Sequence, residues 1–404
     1  MVSIETAQRL ILENISPFGS ESVPILQGLG RVCAEDYHSP WDIPPLDNSE
    51  MDGYAYARGS TGAGEKLTVT GVVYAGEYRT TPVPAGETVK IMTGAPVPSG
   101  CDTVVPLEDV ETEGDSIRLT RDTPRGKHVR KRGNDIRAHD LVISAATLLR
   151  PQEIGMLASM GKTFVSVFKK AHCAILATGD ELLQPGSIPV EGKIINSNSH
   201  SLAAQVIDAG AIPVLHGIAR DSREETISKI REGMQADFLI ITGGASVGDR
   251  DHVKESIEAL GGTLLFSKVN MKPGKPVAFA VLEGKPVFAL PGNPVSTMVS
   301  FEQFVRPALL KSMGRKRIFR PVVNALLQED LQNTSDRPNL IRGRVCHDKR
   351  GYVVASTGKQ ASNRLSSLVR GNGLIYLPPF TTLPAGLNVD VELYDSEFEM
   401  REIA

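Results

Sequence analysis

Between Ala171 and Pro307 the chain alternates short apolar runs of strand length with amphipathic runs of helix length. Cys173–Ala177, Ile212–His216, Phe238–Ile241, Thr263–Val269, Val277–Val281 and Val287–Leu290 read as strands. Between them, Ser201–Ala209 reads as a helix stopped by Gly210, Ser222-Arg-Glu-Glu225 as a capping box opening a second, and Val253–Leu260 as a third ended by Gly261 and Gly262. Asn293 and Pro294 are spaced as N-cap and first residue of a further helix. Parallel strands need long crossovers, so this alternation predicts a doubly wound, three-layer α/β domain over residues 169–315.

The flanks have a different texture. Ile4, Ala7, Leu10, Ile11 and Ile15 share one face of an opening helix, without the basic start and unbroken apolar stretch of a signal peptide. Pro40, Pro44 and Pro45 stiffen a connector that ends near residue 46. From 46 to 137, glycine and proline break up β-prone runs at Leu67–Val73, Thr88–Met92, Thr103–Pro106 and Ser116–Leu119, which predicts an inserted β-rich domain. Segments 1–45 and 138–168 form the scaffold around it, the second with a helix from Pro151 to Met160 ended by Gly161. Residues 316–404 return to β texture and predict a small C-terminal barrel.

Charge and cysteine usage narrow the function classes. Lys and Arg number 44 against 47 Asp and Glu, so no global basic field exists to hold nucleic acid or an anionic membrane. The best apolar run, Leu141–Leu149, is interrupted by Ser144 and Thr147 and falls far short of a membrane span. Cys33, Cys101, Cys173 and Cys346 form no Cys-x-x-Cys pair, which argues against zinc and disulfides and for a reducing, cytoplasmic setting.

Three loops directly follow predicted strands: Thr178-Gly-Asp-Glu181, Thr242-Gly-Gly-Ala-Ser-Val-Gly-Asp249 and Pro291-Gly-Asn-Pro294. Ligands of open α/β sheets bind at the carboxyl ends of strands, so all three can face one crevice. There Gly243, Gly244 and Gly292 permit close backbone approach, and the helix starting at Pro294 favours an anion. Any single loop of this kind is more often a plain turn, but three on one edge point to a phosphate or oxyanion site. Asp180, Glu181, Asp221, Asp249 and Asp251 cluster near the same edge as hard oxygen ligands for Mg2+, although Asp221 also suits a helix start. Lys272 and Lys275 in Met271-Lys-Pro-Gly-Lys-Pro276 sit on a tight turn, where they neutralise an oxyanion or are merely solvated. Gly244-Ala-Ser-Val-Gly248 matches a hydrolase nucleophile elbow around Ser246, but Asp249-Arg-Asp-His252 intervenes before the helix and no late histidine suits a triad. Gly161-Lys-Thr163 fails the spacing of a phosphate-binding P-loop. The basic run Lys127–Arg132 ahead of Asp135 is a solvated loop or an anion patch.

Together these residues resemble the MoeA family of molybdopterin molybdenumtransferases, which includes the C-terminal domain of gephyrin. The likeness runs in order through Ser49-Glu-Met-Asp-Gly-Tyr-Ala55, Ile91-Met-Thr-Gly-Ala-Pro96, Arg132-Gly-Asn-Asp-Ile136, Thr178–Glu181, Thr242–Gly248, Lys272–Pro276 and Leu290-Pro-Gly-Asn-Pro-Val-Ser296. It implies an elongated four-domain subunit, and a homodimer in which the α/β domain of one subunit faces other domains of its partner. It also implies insertion of molybdate into adenylylated molybdopterin with Mg2+-dependent release of AMP. On that resemblance Asp52, Thr93, Arg132, Asp135, Glu181, Asp221, Asp251, Lys272 and Lys275 are the expected catalytic groups. Thr178, Gly179, Asp180, Gly243, Gly244, Ser246, Pro291, Gly292, Asn293, Pro294, Ser296 and Ser362 are expected to bind substrate, and Asp180, Glu181, Asp221 and Asp251 to hold metal. Glu50 stands where the family more often has alanine, and is expected to raise the pKa of Asp52 if both are enclosed. Asn363-Arg364 is a second departure, in the segment bearing Ser362. A molybdopterin adenylyltransferase is a possible partner protein. The competing readings are an adenylyltransferase in its own right, which the flanking β domains argue against, and a catalytically idle dimeric scaffold, which has no chemical need for these acids and lysines.

Overall fold

The computed structural model describes residues 1–59, 61–243, 252–349 and 351–395. Two compact units emerge: Met1–Ala34, Ala146–Arg150 and Phe164–Ala404 make the first, Glu35–Ala145 and Pro151–Thr163 the second.

The first unit holds the α/β sheet. Its strands are β1 (His172–Thr178), β2 (Ile212–Ala219), β3 (Phe238–Thr242), β4 (Thr263–Phe266), β5 (Ala278–Leu282) and β6 (Lys285–Leu290), arranged β2-β1-β3-β6-β5-β4. The helices are α1 (Asn198–Asp208), α2 (Arg223–Gly233), α3 (Val253–Ala259) and α4 (Pro294–Ser300), which runs through a π-helical turn at Phe301–Val305 into α5 (Arg306–Ser312). Leu202 and Val206 of α1 pack on one face of the sheet; Ile230 of α2 and Val253 and Ile257 of α3 pack on the other. That produces the expected three layers.

Only β2, β1, β3 and β6 run parallel; β6, β5 and β4 are antiparallel neighbours. The all-parallel expectation fails because Glu283 and Gly284 both take positive φ, 52° and 73°, and close β5 onto β6 as a two-residue hairpin. The strand expected to reach Val269 ends at Phe266, and the Val269 amide instead donates to the Lys275 carbonyl. Ile4, Ala7 and Ile11 of the opening helix Ile4–Glu13 join Phe238, Phe279 and Phe288 in one core. Each such buried Ile or Phe contributes about 1.5–3 kcal/mol, which fixes the sheet on which the loops stand.

The C-terminal part of this unit is a closed five-stranded barrel, in the order Val322–Leu327, Gly351–Ser356, Asn339–Asp348, Gly373–Leu377, Asn388–Leu393. The second unit is built on a six-stranded sheet ordered Thr103–Pro106, Gly53–Tyr56, Glu87–Ile91, Lys66–Val73, Ser116–Leu119, Val110–Glu113. Val89, Ile91 and Val104 are buried on one side of it, Tyr56, Leu67 and Ile117 on the other. The helix expected from Pro151 spans Pro151–Ser159 and belongs to this unit.

Candidate active site

The carboxyl ends of β2, β1, β3 and β6 lie side by side, so the three glycine-bearing loops and the Arg220-Asp221 turn share one edge. From β1 the chain crosses first to β2 and then back to β3, which makes the β1–β3 gap the point where loops diverge and a crevice opens. The loops are bonded together there. The Gly179 amide donates to the Ala219 carbonyl at 3.1 Å and the Gly243 amide to the Leu290 carbonyl at 3.2 Å. A Cβ on Gly243 would lie 2.4 Å from the Thr178 carbonyl oxygen, and its φ of 92° is one that side-chain-bearing residues avoid. Asn198, at the start of α1, donates through Nδ2 to Thr242 Oγ1 at 3.0 Å and to the Gly292 carbonyl at 2.8 Å, joining the second and third loops.

Asp180 and Asp221 meet at the β1–β2 end of this edge. The Asp180 amide donates to Asp221 Oδ2 at 3.4 Å, and the Asp221 amide returns a bond to Asp180 Oδ1 at 3.3 Å. The Glu181 carboxylate curls back over Gly179, so that Oε2 lies 2.5 Å from where a Cβ on that glycine would be. Among the described residues no three His, Cys, Asp or Glu side chains converge on one point. Two adjacent carboxylates nevertheless suit Mg2+, which keeps several waters and commonly takes one or two protein carboxylates plus phosphate oxygens. Gly244, Ser246, Asp249 and Asp251, with the elbow-like motif, lie outside the described residues.

A second feature lies where the α/β loops meet the barrel. Lys272, Lys275, Asn293, Ser296, Arg337, Gln360 and Ser362 line a cleft of about 580 Å3 that no described carboxylate enters. The Lys272 turn is pinned there by the barrel: its amide donates to the Pro338 carbonyl at 2.8 Å, and the Leu340 amide to its carbonyl at 2.7 Å. Asn293 is indeed the N-cap of α4 with Pro294 as its first residue. Its anion-binding capacity is smaller than expected, because Pro294 has no N–H and the Val295 amide donates to the Ser362 carbonyl at 3.1 Å. Ser296, 4% exposed, is left as the polar group at that helix start. The loop carrying Gln360 and Ser362 is held by fully buried Arg342, whose guanidinium donates to Ser367 Oγ at 3.2 Å and to the Ala361 carbonyl at 3.4 Å. Burial with neutral partners pulls the Arg342 pKa down to about 10.

The sequence matches three family profiles in succession: "MoeA N-terminal region (domain I and II)" over residues 2–161, "Probable molybdopterin binding domain" over 174–311, and "MoeA C-terminal region (domain IV)" over 324–394. A molybdopterin molybdenumtransferase 2 of Mycobacterium tuberculosis is 35% identical over 94% of this chain and 96% of its own length. The molybdopterin molybdenumtransferase of Haemophilus influenzae is 32% identical over 98% of this chain and 99% of its own. This chain belongs to the MoeA family. The crystal structure of the molybdopterin biosynthesis MoeA protein from Pyrococcus horikoshii superposes with a TM-score of 0.85 at 31% identity, covering 98% of this chain and all of that one.

The second unit of this MoeA-family chain carries the remaining expected residues. Asp52 Oδ1 accepts from the Thr93 amide at 2.7 Å and from Thr93 Oγ1 at 2.8 Å, so these two are brought together. The two Thr93 bonds hold the Asp52 carboxyl below its ordinary value. Glu50 and Asp52 are both exposed, so the enclosure under which Glu50 was expected to raise Asp52 is not present, and Glu50 has no part in the shift. Arg132 is paired with Asp42, and its amide donates to Asp47 Oδ1 at 2.8 Å, so much of its charge is already committed. The Asp135 amide donates to the Ile43 carbonyl at 3.1 Å, fixing the turn that bears its carboxylate.

Asn198, Arg337 and Gln360 were not singled out from the sequence. The polar run Asn196-Ser-Asn-Ser199 ahead of an apolar periodicity was a signal for the first. Arg337 sits in a barrel loop with no local pattern, Gln360 opens the segment that bears Ser362, and both enter the cleft only through the fold.

Proposed function

We propose that this chain, a transferase of molybdenum cofactor biosynthesis by its family, inserts molybdate into adenylylated molybdopterin with Mg2+-dependent release of AMP. The cation-lined cleft carries the reading. No described carboxylate lines the cleft around Lys272, Lys275 and Arg337, where Arg337 has only the exposed Asp336 at 3.6 Å as an acidic partner, and molybdate is a tetrahedral dianion of a size and charge to use all three. Ser296 and Ser362 add hydroxyls that adapt as donors to oxyanion oxygens. On this reading the Thr178, Gly179, Gly243, Pro291 and Gly292 backbone lines the pterin and phosphate crevice, with the lack of a side chain at Gly243 letting its loop pack against the Thr178 carbonyl.

Asp180 and Asp221, with Glu181 and Asp251 as further candidates, would hold Mg2+. When bound, that ion would offset negative charge on the phosphate oxygens. The chain's own residues would align the metal oxyanion against the dithiolene end of the substrate and keep the phosphate end at the β1–β2 loops. Asp52, Thr93, Arg132 and Asp135 are assigned to the same reaction. A homodimer, a cytoplasmic location and domain boundaries at 46, 138, 169 and 316 complete the proposal; no helix among the described residues is long and apolar enough to cross a membrane.

The test is AMP release from adenylylated molybdopterin by the purified protein, with and without molybdate and Mg2+, beside Lys275→Gln. Molybdate-dependent release that the variant loses supports the reading. Tight binding of the nucleotide without turnover refutes it in favour of a scaffold.

A further inference from the structure

Two cations that no motif contains converge on the acidic end of the crevice. Lys193 donates through Nζ to the Asp180 carbonyl at 2.7 Å. Arg220 donates through one terminal nitrogen to the same oxygen at 3.2 Å and to the Leu182 carbonyl at 3.4 Å. Both side chains are exposed. Neither forms an ion pair among the described residues, although Arg220 directly precedes Asp221 and Lys193 reaches across thirteen residues to Asp180.

A carbonyl oxygen has two lone pairs but no net charge, so it orients these groups without neutralising them. Like charges brought to one oxygen repel, and the arrangement is relieved by an anion that accepts from the donors still free. Lys193 keeps two of its three ammonium hydrogens, and Arg220 keeps its Nε–H and its second terminal nitrogen. A purely structural clamp would not need two full charges at the exposed mouth of a crevice, because one neutral amide would hold the carbonyl equally well.

We infer that Lys193 and Arg220 form a phosphate clamp at the β1–β2 end of the crevice, taking the oxygens of a nucleoside monophosphate or of the phosphoanhydride that contains it. The inference rests on the proposed reaction and specifies which groups of this chain hold its phosphate. The clamp and the Asp180–Asp221 pair are complementary: cations grip outer phosphate oxygens directly, while the carboxylates face the same group only through a metal.

The experiment measures binding of AMP and of adenosine to the full chain in EDTA, by calorimetry, for the wild type, Lys193→Ala, Arg220→Ala and Arg220→Lys. The wild type should prefer AMP to adenosine, and each alanine variant should lose about tenfold of AMP affinity, the worth of one charge-assisted hydrogen bond, with adenosine affinity unchanged. Arg220→Lys should recover part of the loss, because it restores charge without the planar fork. Thermal unfolding identifies any variant whose fold is damaged, and Arg220→Lys keeps the test valid if Arg220→Ala unfolds. A wild type that binds AMP no better than adenosine, or alanine variants with an unchanged AMP-to-adenosine ratio, overturns the clamp. If the wild type still releases AMP in a molybdate-dependent way, the proposed reaction survives that outcome; if it releases none, the reaction itself is refuted.

Discussion

Arg337→Gln separates a role in holding an oxyanion from a role in holding the fold. Among the described residues the guanidinium makes only long contacts: 3.3 Å to the Met271 carbonyl and 3.6 Å to Asp336, whose side chain is 75% exposed. A pair this long, with Arg337 26% and Asp336 75% exposed, contributes at most about 1 kcal/mol, so glutamine, which can still donate to Met271, should cost little stability. A molybdate oxygen in the cleft would accept from Arg337 in a charge-assisted bond worth about 1.5–3 kcal/mol. At about 1.4 kcal/mol per tenfold, the molybdate concentration for half-maximal AMP release should rise roughly 10- to 100-fold, with little change in the maximal rate. Arg337→Lys should lie between the two, and sulfate, another tetrahedral dianion, should compete with molybdate in the wild type. Steady-state AMP release over a molybdate titration reads all three. A half-saturation unchanged by Arg337→Gln would refute the assignment, as would a fall in rate that molybdate does not overcome.

Thr93→Val removes the hydroxyl bond to Asp52 but leaves the amide bond, so the Asp52 pKa should rise back toward 3.8. The sign follows from linkage: a depressed carboxyl stabilises fully above its unfolded value and loses that contribution as pH falls through the folded one, so the acid edge of stability should move to higher pH in the variant. Urea unfolding from pH 2 to 6 measures it. Gly53→Ala puts a Cβ against the Val105 carbonyl oxygen of the neighbouring strand, a backbone clash that should cost about 2–3 kcal/mol in calorimetry. Iodoacetamide at pH 8 should label exposed Cys346 alone in the folded protein, because Cys33 is buried, burial pushes the Cys101 thiol up to about 12, and burial raises that of Cys173 further. Rapid labelling of Cys101 or Cys173 would contradict the packing around them.

The α/β layers were legible because each element announces itself within its own length: an apolar run for β3, a Ser222 cap whose Oγ accepts from the Glu225 amide at 3.2 Å, a glycine after α1. The antiparallel edge was legible too, and was misread. Val281 and Val287 stand too close for any crossover helix, so the only connection available was the Glu283-Gly284 turn. Asp52 and Thr93 show the limit of local reading. They are 41 residues apart and meet because Gly53 pairs with Ile91, which sets both at one end of two neighbouring strands. Nothing within either segment contains that register.

Sheet order also explains how two opposed charge regions coexist on one edge. The Asp180–Asp221 pair stands behind β1 and β2, while the cation-lined cleft begins at Asn293 behind β6. With β3 between them, β1 and β6 are two strand spacings apart and β2 and β6 three, roughly 10 to 14 Å at about 4.8 Å per spacing. That is at or beyond the Debye length of about 8 Å at physiological ionic strength. Among the described residues no ion pair joins Asp180 or Asp221 to Lys272 or Lys275, and Lys193 and Arg220, which do reach Asp180, bond its carbonyl and not its carboxylate. On the proposed reading the separation is also the scale of a ligand that carries phosphate at one end and a metal-binding group at the other, and the crossover from β2 back over β1 to β3, not any single motif, sets the two regions that far apart.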